Sequence, residues 1–227
     1  MINPESGYFL IDKPLKWTSF QAVNKVKYLL KHRFGSKIKI GHAGTLDPLA
    51  DGLLIMCYGK MTKKIHEFQD MEKEYTGVFK LGATTPSFDL ETEIDQHFPV
   101  EHITAELVEK AAKNMIGVQM QLPPLFSAKK IEGSRAYEFA RKGIQKELKE
   151  SRIEVYKFDS VLEADNEVNF LVRCSKGTYI RSMANDFGKA LKSGAYLKSL
   201  RRTAIGEYRV DDAYTIEDIE GILRSSE

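Results

Sequence analysis

Residues 37–58 read Lys-Ile-Lys-Ile-Gly-His-Ala-Gly-Thr-Leu-Asp-Pro-Leu-Ala-Asp-Gly-Leu-Leu-Ile-Met-Cys-Tyr. The alternation of Lys37 to Ile40 predicts an exposed-edge or half-buried strand. The apolar run Leu53 to Tyr58, bounded by Gly52 and Gly59, predicts a buried one. Between them lies a stretch with glycines at 41, 44 and 52 and no Lys or Arg. Glycine permits tight turns and close approach of a ligand to the backbone, and Pro48 stiffens the exit. An isolated Asp-Pro pair usually does no more than shape a turn. Here the glycines and flanking strands favour a rigid loop that presents Asp47 to a substrate.

Working outward, Tyr8 to Ile11 is a short strand ended by Asp12-Lys13-Pro14. Ser19 is expected to cap a helix reaching Phe34, with Phe20, Val23, Val26 and Leu30 on one face and Gly35 as its stop. Lys73 to Leu81 alternates again and sets Tyr75, Phe79 and Leu81 on one side. Residues 83–103 read as an acidic loop, Thr104 opens a helix to Ile116, and Val118 to Leu122 form a strand before Pro123-Pro124. Residues 125–150 are basic, with a short helix predicted from Ser134 to Lys142. Ile153 to Phe158 and Val168 to Val172 pair across the Ala164-Asp165-Asn166 turn. A helix from about Thr178 buries Ile180, Met183, Ala184, Phe187 and Leu191. A strand near Ile205 to Val210 and a helix from Thr215 close the chain. Hairpin-like strand neighbours with irregularly placed helices predict an α+β fold with a mainly antiparallel, mixed sheet flanked by helices.

The 227 residues suit one large domain or two small ones. Hydrophobic content of 42% with 29% charge is that of a folded globular chain. There is no apolar run of membrane-spanning length and no signal-peptide pattern, so no membrane role and a cytoplasmic address are expected. Cys57 and Cys174 sit in separate strand-like runs, and no zinc-ligand spacing exists, so neither a disulfide framework nor a metal site is expected. The net charge of +2 hides a block pattern. Residues 1–64 carry +7, residues 65–125 carry −7, residues 126–210 carry +7 and the last 17 carry −5. Two basic blocks that meet in space make a polyanion-binding face; blocks that do not meet merely solvate the surface.

An aspartate is ionised at neutral pH and needs no partner base to act as a nucleophile. Serine would need one, and no Gly-x-Ser-x-Gly elbow is present. The 41–52 loop also lacks the Lys-plus-hydroxyl pattern of a nucleotide-binding P-loop, which excludes that route to ATP or GTP chemistry. Ser175-Lys-Gly-Thr-Tyr-Ile-Arg181 opens a helix whose first-turn N–H groups favour an anion, with Tyr179 and Arg181 suited to a planar base and a phosphate or carboxylate. His42 reads either as a satisfied turn histidine or as an imidazole that stacks on a base. Leu200-Arg201-Arg202 reads as a phosphate contact or as a solvated basic turn.

In order along the chain, these residues resemble the TruB family of tRNA pseudouridine synthases. The matching segments are Asp12-Lys13-Pro14 with Thr18-Ser19, Gly41 to Ala50, Lys73-Glu74-Tyr75 with Leu81-Gly82, Pro123-Pro124 through Ser127-Ala128-Lys129 to Tyr137, Ala140-Arg141 and Gly143, Cys174 to Arg181, and Leu200 to Thr203. Together they span roughly residues 8–210, and an ordered series is far more specific than one motif. Lys16-Trp17 stands where the family has a small glycine-containing turn. Ala43 and Asp51 stand where threonines are common, and the 84–92 stretch lacks the glycine usual after its acidic pair.

The resemblance implies the pseudouridine synthase fold and conversion of uridine-55 in the T arm of tRNA to pseudouridine, without cofactor or metal. By position Asp47 is the nucleophile, Tyr75 stacks on the target base near its C5 proton, and Arg181 pairs with Asp47. Tyr179 contacts the nucleotide, Leu200 walls the pocket, and His42 fills the space left by the flipped base. Lys13, Asp89, Arg201 and Arg202 complete the substrate- and RNA-binding set. Attack at C1′, addition at C6 and elimination from C2′ all fit this residue set. One catalytic domain over 1–227 is implied, with an RNA-gripping insertion near 124–150, no C-terminal PUA domain and a monomer needing no protein partner. Two other classes compete: an RNA-binding module with vestigial catalysis, which does not need Asp47, Tyr75 and Arg181 together, and a glycosidic hydrolase, which needs a second carboxylate.

Overall fold

In the computed structural model, which describes residues 3, 5–35, 37–126, 130–131, 134–135 and 148–224, strand β1 (Ser6–Lys13) leads into helix α1 (Ser19–Phe34). Strand β2 (Ile40–His42) and strand β3 (Ala50–Gly59) follow, then helix α2 (Ile65–Asp70) and strand β4 (Lys73–Leu81). A two-residue pair, β5 (Ala83–Thr84) and β6 (Gln96–His97), precedes helix α3 (Ala105–Asn114) and strand β7 (Gly117–Gln121). Strands β8 (Lys130–Ile131) and β9 (Ser134–Arg135) pair with each other. The long hairpin β10 (Ser151–Glu163) and β11 (Glu167–Cys174) is followed by helix α4 (Ile180–Ala190). Strands β12 (Ala195–Ile205) and β13 (Tyr208–Arg209) and helix α5 (Ile216–Arg224) end the chain. No helix among the described residues is long and apolar enough to cross a membrane.

Contacts divide the chain into two compact units, Met1–Tyr75 with Leu200–Glu227, and Thr76–Ser199. Within the first unit β1 and β2 run antiparallel to β3, and β12 runs parallel to it with Leu200, Arg201 and Arg202 opposite Ala50, Asp51 and Gly52. Strand β3 is buried on both faces. Leu54, Met56 and Tyr58 join α1 and α5 residues in one cluster, while Leu53, Ile55 and Cys57 join Phe68, Ile205 and Val210 in another. Full burial of each such aliphatic side chain is worth about 1.5–3 kcal/mol, so this strand is a firm base for the loop before it.

Within the second unit β10 runs antiparallel to β11 and to β7. The hairpin closes through Asp165 and Asn166 at φ 57° and 56°, a left-handed turn that short polar side chains tolerate. Phe79, Phe158, Phe170 and Phe187 form an aromatic cluster, with Phe79 and Phe170 centroids 4.2 Å apart. The expected α+β class and mixed, mainly antiparallel sheet are observed.

Several local expectations are corrected. Thr18, not Ser19, is the N-cap of α1: its side chain accepts from the Gln21 N–H and the Gln21 side chain reaches back, a capping box. Phe20 is 70% exposed, because α1 buries the stripe Ala22, Val23, Val26, Leu29 and Leu30 instead. The strand predicted over Lys37 to Ile40 begins at Ile40 and reaches His42. Leu200-Arg201-Arg202 lie on β12, a strand and not a turn; the polar pair masked a long apolar-flanked run. Ser134 and Arg135 are extended, not helical, and the remainder of the predicted 134–142 helix lies outside the described residues.

Candidate active site

As the sequence predicts, the Asp47 loop hangs between two strands, β2 and β3; these pair antiparallel from Ile40 opposite Tyr58 to His42 opposite Met56. Hydrogen bonds hold the loop's backbone at several points. Ala43 N–H donates to Ile55 O (2.9 Å), and Ala50 N–H donates to Asp47 O (3.1 Å). The buried Ser19 hydroxyl donates to Leu46 O (3.0 Å) and accepts from Leu46 N–H (2.9 Å). Lys16 N–H donates to Pro48 O (2.7 Å). The Arg202 guanidinium donates to Gly44 O (3.1 Å) and Leu53 O (2.7 Å), spanning the entrance and exit of the loop. Asp47 itself is half-buried, between the buried Leu46 and the exposed Pro48. A loop braced at these points holds its carboxylate in place before substrate arrives.

Gly52 is where a glycine is required. Its φ of 101° excludes most side chains, and a Cβ there would lie 2.4 Å from Arg202 O. The same demand falls on Lys16, which adopts φ 67° in the turn after Pro14. A lysine in that region costs about 1–2 kcal/mol. Lys13 offsets part of this: its amine donates to Pro14 O (3.0 Å) and Trp17 O (2.6 Å), tying the turn that grips Pro48.

Three carboxylates and three cations share this part of the first unit. Arg201 donates two hydrogen bonds to Asp12 (2.6 and 3.1 Å) and one to Asp51 (3.1 Å). These acids hold the Arg201 pKa above its ordinary value. Lys13 is fully buried, and burial pushes its amine down to about 8 despite the pull of Asp51 and Asp47. His42 is held below its ordinary value first by burial and then by the Arg202 guanidinium, with the Gly44 backbone opposing. Its Nδ1 is sealed from solvent with no hydrogen-bond partner among the described residues. Tyr75 is buried on β4, on the same side as Phe79 and Leu81. Leu200 is half-buried opposite Ala50 at the loop exit.

The second unit gathers Tyr179, Arg181 and Asp89. Gln121 takes the Tyr179 N–H (2.8 Å) and donates to Tyr179 O (3.0 Å), so a side chain occupies that backbone group at the mouth of α4. Arg181 is 4% exposed and not solvated; its Nε lies 3.6 Å from Asp89 Oδ2, and Nη1 donates to Phe126 O (2.9 Å). Asp89 Oδ1 accepts from Glu91 N–H (2.9 Å), and the Asp89 carbonyl accepts from the Thr85 and Ser87 hydroxyls (2.7 and 3.2 Å). Arg202, at 1% exposed, spends at least two of its donors on loop carbonyls, a bracing role that sequence reasoning missed. Ser19 was missed as well. Its side chain carries no long-range signal in sequence, where it reads as an ordinary cap.

The Asp47 carboxylate on its braced loop in the first unit and the buried Arg181–Asp89 pair at the mouth of α4 in the second suit an enzyme of the pseudouridine synthase class. The family model for the TruB pseudouridylate synthase N-terminal domain matches residues 31–180, and that for the tRNA pseudouridylate synthase B C-terminal domain matches residues 181–227. The chain belongs to the TruB family. It is 56% identical over 222 residues to the tRNA pseudouridine synthase B of Flavobacterium johnsoniae, covering 97% of both chains. It is 54% identical to that of Parabacteroides distasonis, covering 99% of this chain and 95% of the relative. Among solved structures it resembles a chain of a Cbf5-Nop10-Gar1 complex with TM-score 0.70 and 25% identity. It also resembles a chain of an H/ACA RNP bound to a substrate RNA containing 2′-deoxyuridine, with TM-score 0.68 and 23% identity, which shows the fold alone. It covers 96% of itself in both comparisons but only 54% and 53% of those chains, about half their length.

Proposed function

We propose that this protein isomerises uridine-55 in the T arm of tRNA to pseudouridine, with Asp47 as the nucleophile. The observation that carries this reading is the half-buried Asp47 carboxylate on a loop whose backbone is tied to Ser19, Arg202 and Lys16. The reaction breaks N1–C1′, turns the uracil and forms C5–C1′; the C5 proton is lost and N1 gains one, so neither redox change nor external energy is needed. A carboxylate is a suitable group to share in that exchange because it enters ionised and leaves unchanged. Tyr75 stacks on the base, Tyr179 contacts the nucleotide, Leu200 walls the pocket and Arg181 supplies the cation that the family places opposite Asp47. His42, kept neutral by burial, fills the gap left in the RNA when the base turns out. Asp89 holds Arg181, while Lys13 and Arg202 act through the loop they brace, and Arg201 through Asp12 and Asp51 on the flanking strands. Residues 124–150 serve as the RNA-gripping insertion of a single catalytic domain, which works as a monomer in the cytoplasm.

Tritium release from a T-arm transcript labelled at uridine C5 tests this. The wild-type protein releases tritium in step with pseudouridine. Asp47→Asn loses turnover by on the order of 10³-fold or more while binding the RNA as before. Robust turnover by that variant removes Asp47 from the mechanism, and free uracil as product makes the protein a hydrolase.

A further inference from the structure

Between Asp12 and Asp47 the chain carries eight Lys or Arg and no Asp or Glu. Helix α1 lies inside that stretch, so its 16 residues contain no carboxylate. A water-facing helix normally mixes both signs along its outer face, which supplies i,i+4 pairs and solubility at once. Here the inner face is accounted for by Ala22, Val23, Val26, Leu29 and Leu30, and Lys25 at its border pairs with Glu220 at 2.7 Å.

The outer face is a single stripe. Phe20, Asn24, Lys27, Tyr28 and Lys31 are all exposed and follow the spacing i, i+4, i+7, i+8 and i+11. At 1.5 Å per residue the stripe runs about 16 Å. Phe20 is 70% exposed and Tyr28 55% exposed, and Tyr28 has His32 against its ring with centroids 4.3 Å apart. Lys27 and Lys31 make no ion pair among the described residues. Cations alternating with open aromatic rings suit a polyanion that also offers flat faces. Phosphates meet the ammonium groups, and unstacked bases or riboses lie on the rings. The start of the stripe is joined to the Asp47 loop, since Ser19, next to Phe20, is bonded to Leu46.

We infer that the outer face of α1 is a second RNA-contact surface, which holds the backbone and an unstacked residue of the substrate RNA outside the target uridine's pocket. This rests on the reading that RNA is the substrate, and deepens it. A second copy of the chain is the competing occupant, disfavoured because two such faces repel each other.

The test uses the full chain and an unmodified tRNA transcript, with tritium release measured across a range of salt. Lys27→Gln with Lys31→Gln should raise KM about ten-fold and lower the slope of log KM against log salt by about 1.5, with kcat within two-fold. Phe20→Ala with Tyr28→Ala should raise KM several-fold and leave that slope in place. Lys110→Gln on α3, also exposed, is the control for loss of a positive charge elsewhere and should move KM and slope little. Both double variants matching wild type in KM and slope would overturn the inference. So would sedimentation showing a wild-type dimer that the lysine variants disperse. Wild-type turnover is recorded in the same samples, so its absence counts against the substrate reading and not against this surface.

Discussion

The Ser19 hydroxyl and the Leu46 backbone exchange two hydrogen bonds, one in each direction, across 27 positions of sequence. Leu46 is the residue before Asp47, so one buried side chain satisfies both polar groups of the peptide units that aim the carboxylate. Ser19→Ala strands both groups in the interior. It should cost about 1–3 kcal/mol of stability. Well below its melting temperature the variant should still lose about 10- to 100-fold in kcat with KM within two-fold, since misplacement by about 1 Å has that effect. Denaturant titration and steady-state kinetics read the two effects. A rise in KM with kcat intact would show that Ser19 does not place Asp47.

Asp89 and Arg181 are each 4% exposed and lie 3.6 Å apart. Asp89→Ala takes away the carboxylate beside Arg181 and the acceptor of the Glu91 N–H. It is expected to destabilise the protein by about 1–3 kcal/mol. Asp89→Asn keeps an acceptor for the Glu91 N–H and should cost less. Urea unfolding of both variants checks the order, and equal stabilities would contradict it.

Lys13 is buried as a cation whose pKa is pushed down to about 8 from an ordinary 10.5. Between those values the unfolded chain still holds the proton and the folded chain has released it. Stability from this group therefore rises with pH across that window, because folding no longer buries a charge. Against Lys13→Met, wild type should gain stability as pH climbs from about 8 to 10.5. Denaturant unfolding of both proteins on either side of the window measures it. Parallel pH curves would place the Lys13 titration outside that range.

Much of the catalytic half was legible because its signals are local. The glycine-bounded run Leu53 to Tyr58, the β10–β11 turn and the α4 apolar stripe each depend on neighbours within a few residues. Asp47 stood out for the same reason. What escaped was long-range. Arg202 looked like a surface cation, yet the carbonyls that hold it belong to Gly44 and Leu53, about 150 residues earlier. Arg181 read as a substrate-facing cation, with no sign in the sequence that Asp89 is packed beside it. Helical spacing sets Phe20 on one face with Val23 and Val26, yet tertiary packing buries a neighbouring stripe and leaves Phe20 outside it. Lys16 in a glycine conformation is held by partners that no local pattern reveals.

The absent side chain at Gly52 sets how near β3 and β12 approach beside Arg202. That spacing is fixed by an empty volume, which cannot shrink further and which any larger residue would prise open. The depth to which the Arg202 guanidinium reaches is thereby a property of the backbone, insulated from drift in the side chains around it. Sequence change at the exposed loop position Thr45 can then alter what the enzyme meets without retuning how its carboxylate is held.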